Sequence, residues 1–201
     1  TQKVLNHIGY DNLAFNVEFF WNKSKDKIWL LEVNTRVSQS HSDLFEKVDG
    51  ASNHQITVEV GLGNEPNFPH RKGKFNKSAK FFYRKWEDAV VSRIPTQAEV
   101  EEIQQAIPGT LIDIKVDEGI QLSEMNEQDS YSFELAWLFI GGKDENDLKA
   151  KFDECVKRLP FEFKPVPDPE PVGVVEGYEK LENKLMGKEE EPLREEIPNT
   201  K

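Results

Sequence analysis

The chain has 201 residues, of which 37 are acidic and 26 basic, so its formal net charge is −11 at pH 7. This acidic excess argues against a nucleic-acid partner, because binding to phosphates depends on Lys and Arg. No apolar run reaches the roughly 18 to 20 residues of a membrane span, and the N-terminus lacks a signal-peptide pattern. A single cysteine, Cys155, predicts a cytoplasmic protein with a buried structural thiol.

Two short apolar-rich runs near the N-terminus, residues 13–21 and 28–34, predict a β-hairpin with a polar loop. In the first run every odd position is large and apolar, which period-two alternation places on one face. If the loop closes symmetrically, paired residue numbers sum to about 50, so that Glu18 faces Glu32 and Asn16 faces Asn34. The pattern therefore predicts two neighbouring carboxylates.

The chain then continues with helices and strands of an α+β unit. Two short helices are predicted at 42–48 and 52–62, and a stretch rich in Pro, Gly, Asn and Lys at 64–78 indicates a connection. Beyond it, strand patterns alternate with two helices, the first capped by Thr96 and Glu99, and the sheet is expected to be mostly antiparallel. The strands are predicted at 79–86, 89–93, 110–116 and 132–140, and the helices at 96–106 and 143–159.

The C-terminal 38 residues, 164–201, predict a disordered Pro- and Glu-rich acidic tail, with one short helix at 178–186. They hold six of the eleven prolines and few large apolar residues. Such a segment cannot bury enough surface to offset the entropy of ordering it.

Opposed carboxylates destabilise a sheet unless a cation lies between them. Glu18, Glu32 and the side-chain oxygen of Asn34 are hard ligands, which are typical of Mg²⁺ or Mn²⁺ shared with phosphates. The alternative is that both glutamates point into water on a surface hairpin. Arg36, two residues after Asn34, would place a fixed cation at the same edge, although a surface ion pair also explains a lone Arg.

The run Glu32-Val33-Asn34-Thr35-Arg36, with a Phe-x-x-Glu-Phe-Phe strand about 14 residues before it, resembles the metal-binding end of ATP-grasp enzymes. Residues 15–42 are similar to the corresponding stretch of biotin carboxylases and carbamoyl-phosphate synthetases. The resemblance implies that Glu18 and Glu32 bridge magnesium ions on the ATP phosphates. It also implies that Asn34 completes one coordination sphere and that Arg36 steadies an acyl phosphate.

The resemblance divides the chain into four parts. Residues 1–63 would be the C-terminal part of an ATP-grasp domain, 64–78 a connection, 79–163 a small α+β C-terminal domain, and 164–201 the tail. The third part more loosely resembles the C-terminal domain of L-amino-acid ligases and dipeptide synthetases. It therefore favours a carboxylate-amine or carboxylate-thiol ligase that uses ATP and Mg²⁺.

One departure from the family pattern argues against carboxylation of biotin. Biotin carboxylases carry Gln and then Glu at the second and fourth positions after the Arg, where this chain has Ser38 and Ser40. His41 keeps the position of a family histidine and is a candidate general base, although a His held by neighbouring backbone is commoner. Ser38 and Ser40 are candidate contacts to the carboxylate substrate or to its acceptor, an amine or another nucleophile.

No Gly-rich phosphate loop precedes Glu18, so the sequence contains only the carboxylate half of an ATP site. We expect the chain to be the C-terminal part of a longer ligase, inactive by itself. The alternative is a non-catalytic acidic module that binds a cation or a protein partner. A homo-oligomer is possible, because Phe81, Phe82, Tyr83 and Trp86 are expected in the core but could form a subunit contact.

Overall fold

The computed structural model describes residues 1–126 and 131–167. The chain divides into two units, 1–165 and 166–201, and the first is described below. The helix predicted at 178–186, like nearly all of the predicted tail, lies outside the described residues. Within residues 1–126 and 131–167, no helix combines the length and the apolar composition needed to cross a bilayer.

The N-terminal part contains one short helix and a hairpin. Helix α1 (Gln2–His7) is followed by an antiparallel pair, β1 (Asn16–Asn22) and β2 (Lys27–Asn34). The side-chain oxygen of Asn22 accepts a hydrogen bond of 3.0 Å from the backbone N–H of Lys25, which closes the turn. A local side-chain acceptor of this kind is what favours Asn at the start of a turn.

At its open end the hairpin has the predicted pairing. Glu18 lies opposite Glu32, and Asn16 lies opposite Asn34. Direct partners in an antiparallel pair point to the same face, and so do residues two apart along a strand. All four polar side chains therefore share one face of the hairpin.

Between this polar face and the loop, the predicted symmetric pairing is wrong, because each residue pairs one position away from its predicted partner. A register shift makes Phe19 face Leu30 and leaves Leu31 as an extra residue in β2. The odd-numbered apolar residues of the two strands consequently do not share one face, because Trp29 pairs with Phe20. Counting from the loop cannot detect such a β-bulge, which adds a residue to one strand only.

The strands of the hairpin expose apolar side chains on both faces. A two-stranded sheet without packing partners is marginally stable in water. The exposed large side chains are Phe19, Phe20, Trp21, Ile28, Trp29, Leu30 and Leu31.

Two predicted helices follow the hairpin. They are α2 (Ser42–Asp49) and α3 (Asn53–Gly61). Gly50, with φ of 91°, adopts the left-handed conformation that ends α2. The hydroxyl of Ser52 accepts a hydrogen bond from the backbone N–H of Gln55 at 3.1 Å and so caps α3.

The connection at 64–78 is bonded to the end of α2. The backbone N–H of Gly73 donates to the carbonyl of Val48 at 2.9 Å, and that of Phe75 donates to the carbonyl of Lys47 at 3.0 Å. These carbonyls belong to the last turn of a helix, for which the helix itself provides no N–H donors. The connection thereby satisfies the helix end.

A three-stranded antiparallel sheet forms the centre of the C-terminal part. Its strands β3 (Lys77–Lys85), β5 (Thr110–Ile114) and β6 (Phe133–Gly142) are ordered β3-β6-β5. Helices α4 (Gln97–Ala106) and α5 (Glu145–Arg158) pack on one face of this sheet. The core between them includes Val100, Ile103, Ile112, Leu138, Ile140, Leu148 and Cys155.

A second small sheet has two strands, of which the sequence predicted only the first. Strand β4 (Val90–Arg93) pairs with β7 (Glu162–Lys164), so Lys164 ends a strand. Three residues are too few to show a period-two pattern in the sequence. A second core cluster lies here and includes fully buried Val91, Leu122 and Leu135.

The remaining predictions for the C-terminal part are confirmed except for one. The α+β class with antiparallel sheets, the capping box of Thr96 and Glu99, and the burial of Cys155 are confirmed. The prediction that all four aromatic residues of the β3 region lie in the core is wrong for two of them. Phe82 is 41% exposed and Trp86 63% exposed, because Phe82 points to the other face of β3 and Trp86 follows its end.

Candidate functional site

The polar face of the hairpin carries the two predicted carboxylates side by side. Glu18 and Glu32 are both exposed, and neither forms an ion pair within the part of the chain that the structure describes. The amide nitrogen of Asn34 donates to the Oε1 atom of Glu32 at 2.7 Å. This bond orients the Glu32 carboxylate, and no hydrogen bond to a described residue engages the amide oxygen of Asn34.

The residues present fit a divalent cation. Directly opposed side chains have Cβ atoms roughly 4.5 to 5.5 Å apart, so two unpaired negative charges lie together. Within residues 1–126 and 131–167 no group of three or more His, Cys, Asp and Glu side chains is arranged to hold a metal. Mg²⁺ needs only one or two protein carboxylates when phosphates and water complete its shell. Glu18, Glu32 and Asn34 supply such a set.

A cavity of about 370 Å³ lies next to this face. It brings together one of the two carboxylates and the residues that follow β2. Glu32 and Asn34 are not among its lining residues. The cavity is lined by Asn16, Glu18, Arg36, Ser38, Ser40 and His41.

Arg36 presents an exposed cation to the cavity. Its only hydrogen bond to a described residue is from Nη1 to the carbonyl of Val37 at 3.4 Å, and it has no ion-pair partner among the described residues. The surface ion pair considered above for this Arg is therefore not formed within them. A guanidinium with free donors is suited to a phosphate or a carboxylate.

His41 is held from one side by two hydroxyl groups. Its Nδ1 atom lies 2.5 Å from the Oγ atom of Ser38 and 3.3 Å from that of Ser40. The carbonyl of Ser38 in turn accepts a hydrogen bond of 2.7 Å from the side chain of Asn53 at the start of α3. These contacts fix the ring, and they leave its Nε2 atom as the nitrogen that could exchange a proton.

The N-terminus of a helix can bind an anion, but the side chains at the start of α3 form local hydrogen bonds. Ser52 caps α3, the Asn53 amide is turned to Ser38, and the Nδ1 atom of His54 lies 3.0 Å from the hydroxyl of Ser42. Capping and local hydrogen bonds thus account for these side chains.

A larger cavity of about 1060 Å³ shares Asn16, Ser38 and His41 with the smaller one. Its described lining contains no Asp, Glu, Lys or Arg. It includes the aromatic rings of Phe15, Phe45 and Phe68. Two buried amide oxygens, Oδ1 of Asn16 and of Asn53, have no hydrogen-bond partner in the described structure. The sequence correctly predicted that Asn16 lies on the polar face. It did not predict the hydrogen bond from Asn53 to Ser38, for which a single sequence offers no signal.

The site lies wholly within a segment that matches a known family. Residues 1–67 match the family model described as the ATP-binding domain of the carbamoyl-phosphate synthase L chain. The predicted resemblance to the ATP-grasp superfamily is confirmed. The chain carries part of an ATP-grasp fold.

Individual relatives extend the likeness beyond residue 67. Urea amidolyase from Saccharomyces cerevisiae is 24% identical over 149 residues, which are 72% of this chain and 8% of that protein. A Hydrogenobacter thermophilus structure matches with a TM-score of 0.52 and 16% identity. It is the biotin carboxylase domain of 2-oxoglutarate carboxylase with MgADP, ADP and bicarbonate, and the match covers 80% of this chain and 34% of that one.

The L-amino acid ligase from Bacillus licheniformis matches equally well, with a TM-score of 0.52 and 12% identity over 75% of this chain and 36% of that one. The ATP-grasp likeness in fold therefore does not separate carboxylases from amino-acid ligases. The chain spans about a third of the length of these two structures and less than a tenth of the yeast relative.

Proposed function

We propose that this chain is the metal-binding part of an ATP-dependent ligase that activates a carboxylate. The observation that carries the proposal is the direct pairing of Glu18 with Glu32, next to the cavity that Arg36 lines. Two unpaired carboxylates and an unpaired guanidinium lie beside each other without forming ion pairs among the described residues. Such an arrangement suits a ligand that combines divalent metal with phosphate.

Glu18, Glu32 and Asn34 would hold Mg²⁺, or Mn²⁺ in its place. The ion would offset negative charge on the ATP phosphates during phosphoryl transfer. The hydrogen bond from Asn34 keeps the Glu32 carboxylate oriented toward the polar face. The bulge just beyond Glu18 is consistent with this role, because bulges redirect side chains next to active sites.

The reaction would then proceed in two steps. The carboxylate group of the substrate attacks the γ-phosphorus of ATP, ADP leaves, and an acyl phosphate forms. A nucleophile next attacks the acyl carbon and phosphate leaves with its electron pair. Arg36 would bind the acyl phosphate, Ser38 and Ser40 would contact the substrate, and His41 would accept the proton that the nucleophile loses.

The acceptor is inferred to be an amine or thiol rather than biotin. In biotin carboxylases a Glu at the position of Ser40 acts as the base toward bicarbonate. Glu18, already assigned to the metal, is the only carboxylate among the described residues that line the smaller cavity. The larger, uncharged cavity would receive the body of the carboxylate substrate.

We also infer that this chain alone does not hold a complete ATP site. The support is its share of the ATP-grasp structures, about a third of each. We expect ATP to bind more weakly than millimolar and no ADP to form in the presence of any carboxylic acid. Isothermal titration calorimetry and an ADP-release assay measure both, and millimolar or tighter binding would contradict the inference.

A second candidate function is a protein-binding module. The observation that favours it is the exposed apolar surface of the hairpin, which includes Phe20 at 61% and Trp21 at 57% exposure. Exposed apolar patches of this kind mark interaction sites. In that case Glu18 and Glu32 would contribute charge to an interface and would bind metal no better than other surface carboxylates.

Metal affinity separates the two functions. Mn²⁺ binding to the whole chain, followed by electron paramagnetic resonance, should fall about tenfold or more in Glu18→Gln and in Glu32→Gln. Glu46→Gln, an exposed glutamate on α2, serves as the matched control and should leave the affinity unchanged. Equal affinities in all four proteins would reject the metal site and with it the proposed enzyme.

A further inference from the structure

The sheet β3-β6-β5 has an outer face quite different from its largely apolar inner face. One row across the three strands consists of Lys80, Phe139 and Leu111. The next row consists of Phe82, Trp137 and Asp113. This face lies away from α4 and α5, and its aromatic and charged side chains take no part in the function proposed above.

Trp137 occupies the centre of this face in a fixed orientation. Its indole N–H donates a hydrogen bond to Glu134, and the Glu134 carboxylate forms an ion pair with Arg84. The ring of Phe82 meets the indole edge-on, with the centroids 6.4 Å apart. The indole is therefore a rigid platform and not a mobile surface side chain.

Two lysine ammonium groups lie against this one indole. The Nζ atom of Lys80 is 3.2 Å and that of Lys115 is 4.1 Å from the ring centroid. Lys115 also has a carboxylate, Asp113, at 3.3 Å. Lys80 has neither an ion pair nor a hydrogen bond within residues 1–126 and 131–167, and contacts only aromatic faces.

The environment of Lys80 disfavours its charge. Burial lowers the pKa of the Lys80 ammonium, and the neighbouring Lys115 lowers it further, against the opposing pull of Glu134 and Asp113. A partly dehydrated cation without an acceptor is the state that a bound anion relieves. Cation–π contact alone offsets only part of this cost.

Charged side chains of both signs lie on this face. Among the described residues, Lys80, Arg84 and Lys115 are positive, and Asp113 and Glu134 are negative. The Lys80 ammonium lies 4.8 Å from the ring centroid of Phe82, which is 41% exposed. Leu111, 44% exposed, lies on the same face of the sheet.

We propose that Lys80, Lys115 and Trp137 form a second ligand site, which binds a small anion on a flat ring, such as an aromatic carboxylate or an aryl phosphate. Both ammonium groups contact the anionic group. The ring packs on the exposed surface that Phe82 and Leu111 provide. The site is independent of the metal site, so the failure of either proposal leaves the other standing.

The test uses the whole chain labelled with ¹⁵N, with the Trp137 indole N–H as the reporter. Benzoate and phenyl phosphate are expected to shift this signal saturably. Benzamide, which lacks the charge, should not. Acetate and inorganic phosphate, which lack the ring, should bind at least about fivefold more weakly than their aromatic counterparts. Between the two aromatic probes, the tighter one identifies carboxylate or phosphate as the anion.

Variants assign the binding to the two lysines. Lys80→Met and Lys115→Met keep most of the side-chain volume and should each weaken binding of the better probe about tenfold, since each removes one charge-assisted contact. Lys149→Met, an exposed lysine on α5, is the control and should bind as the unmodified chain does. Unfolding temperatures verify that all three variants are folded.

Three results would overturn the proposal. One is the absence of a saturable shift with either aromatic anion. Another is an equal response to benzamide, which would indicate a general apolar surface. The third is an equal loss in the Lys149→Met control, which would indicate unspecific attraction of anions.

Discussion

At the scale of single residues, the pair Glu18 and Glu32 is expected to lower stability, and the proposed function rests on it. Like charges directly opposite each other in a sheet destabilise it, and the described residues provide no cation to offset them. In the proposed function, this loss of stability accompanies the ability to bind a metal. Both effects can be measured.

Glu18→Gln should stabilise the metal-free chain by about 0.2–1 kcal/mol, because it removes the repulsion and keeps the side-chain shape. Urea unfolding in a chelating buffer measures this gain. Adding Mn²⁺ should stabilise the unmodified chain and not the variant. Destabilisation by Glu18→Gln, with Glu46→Gln as the neutral reference, would show that the carboxylate has a structural partner.

Asp88 gives a pH-dependent prediction outside the site. Burial raises the pKa of this carboxyl, but hydrogen bonds from Ser123, Gln121 and Ala89 outweigh burial and hold the pKa below its ordinary value of 3.8. Its contribution to stability is therefore complete above about pH 4. It disappears as the pH falls through the lowered pKa of the folded state.

Asp88→Ala should accordingly cost about 1–2 kcal/mol at pH 7, and the difference should shrink toward pH 2. Urea unfolding at several pH values measures it. Asp117→Ala, which changes an exposed aspartate in the same part of the chain, should show no such trend. A difference that stays constant with pH would mean that the ionised carboxylate is not what these donors stabilise.

Residue-level prediction from sequence was right for the facing of Glu18 with Glu32, although symmetric closure of the loop is not its cause. Next to the loop the strands pair one residue away from the symmetric register, and the bulge in β2 brings Glu32 opposite Glu18. The bond from Asn53 to Ser38 joins residues 15 positions apart through the packing of α3, and no local pattern encodes it. The resemblance to a family supplied the functional meaning of the carboxylates, which spacing left open.

At the scale of elements, strand and helix positions were mostly predictable and sheet details were not. Periodicity located both hairpin strands, α2 to α5 and β3 to β6 to within a few residues. It missed the bulge in β2 and the three-residue strand β7. Both depend on contacts between segments distant in sequence, whereas periodicity reports only which side of one segment is buried.

At the scale of elements, the side chain of Phe75 also fixes the connection at 64–78 against the sheet. The ring of Phe75 lies over Gly109 and Gly141, whose backbones are hydrogen-bonded to each other at 2.9 Å. A Cβ atom on Gly141 would lie 2.5 Å from the Phe75 ring. The glycine leaves the space that the ring fills, so the connection is held against the sheet β3-β6-β5.

Gly141→Ala should therefore destabilise the chain by about 1–3 kcal/mol through overpacking. Phe75→Leu added to it should recover part of the loss, which a double-mutant cycle quantifies. Gly61→Ala, where no atom lies within 4 Å of the added carbon, should be neutral or stabilising. Additive effects of the Gly141 and Phe75 substitutions would show that the ring does not occupy this space.

At the scale of the whole molecule, the residues of the proposed site and the buried core are in different places. The buried core lies around the C-terminal sheets, while the proposed catalytic residues lie on a hairpin with exposed aromatic side chains. The chain also spans about a third of the ATP-grasp structures that it matches. Both observations agree with the proposal that this chain alone does not hold a complete ATP site.

The proposed function depends on Glu18 and Glu32 binding one divalent cation together. Paramagnetic broadening by Mn²⁺ in ¹H–¹⁵N spectra of the chain tests it most directly, because broadening locates the ion. We predict that signals of residues 16–18 and 32–36 disappear first and persist in a Glu18→Gln/Glu32→Gln double variant. Broadening centred elsewhere, or unchanged by the two substitutions, would contradict the claim.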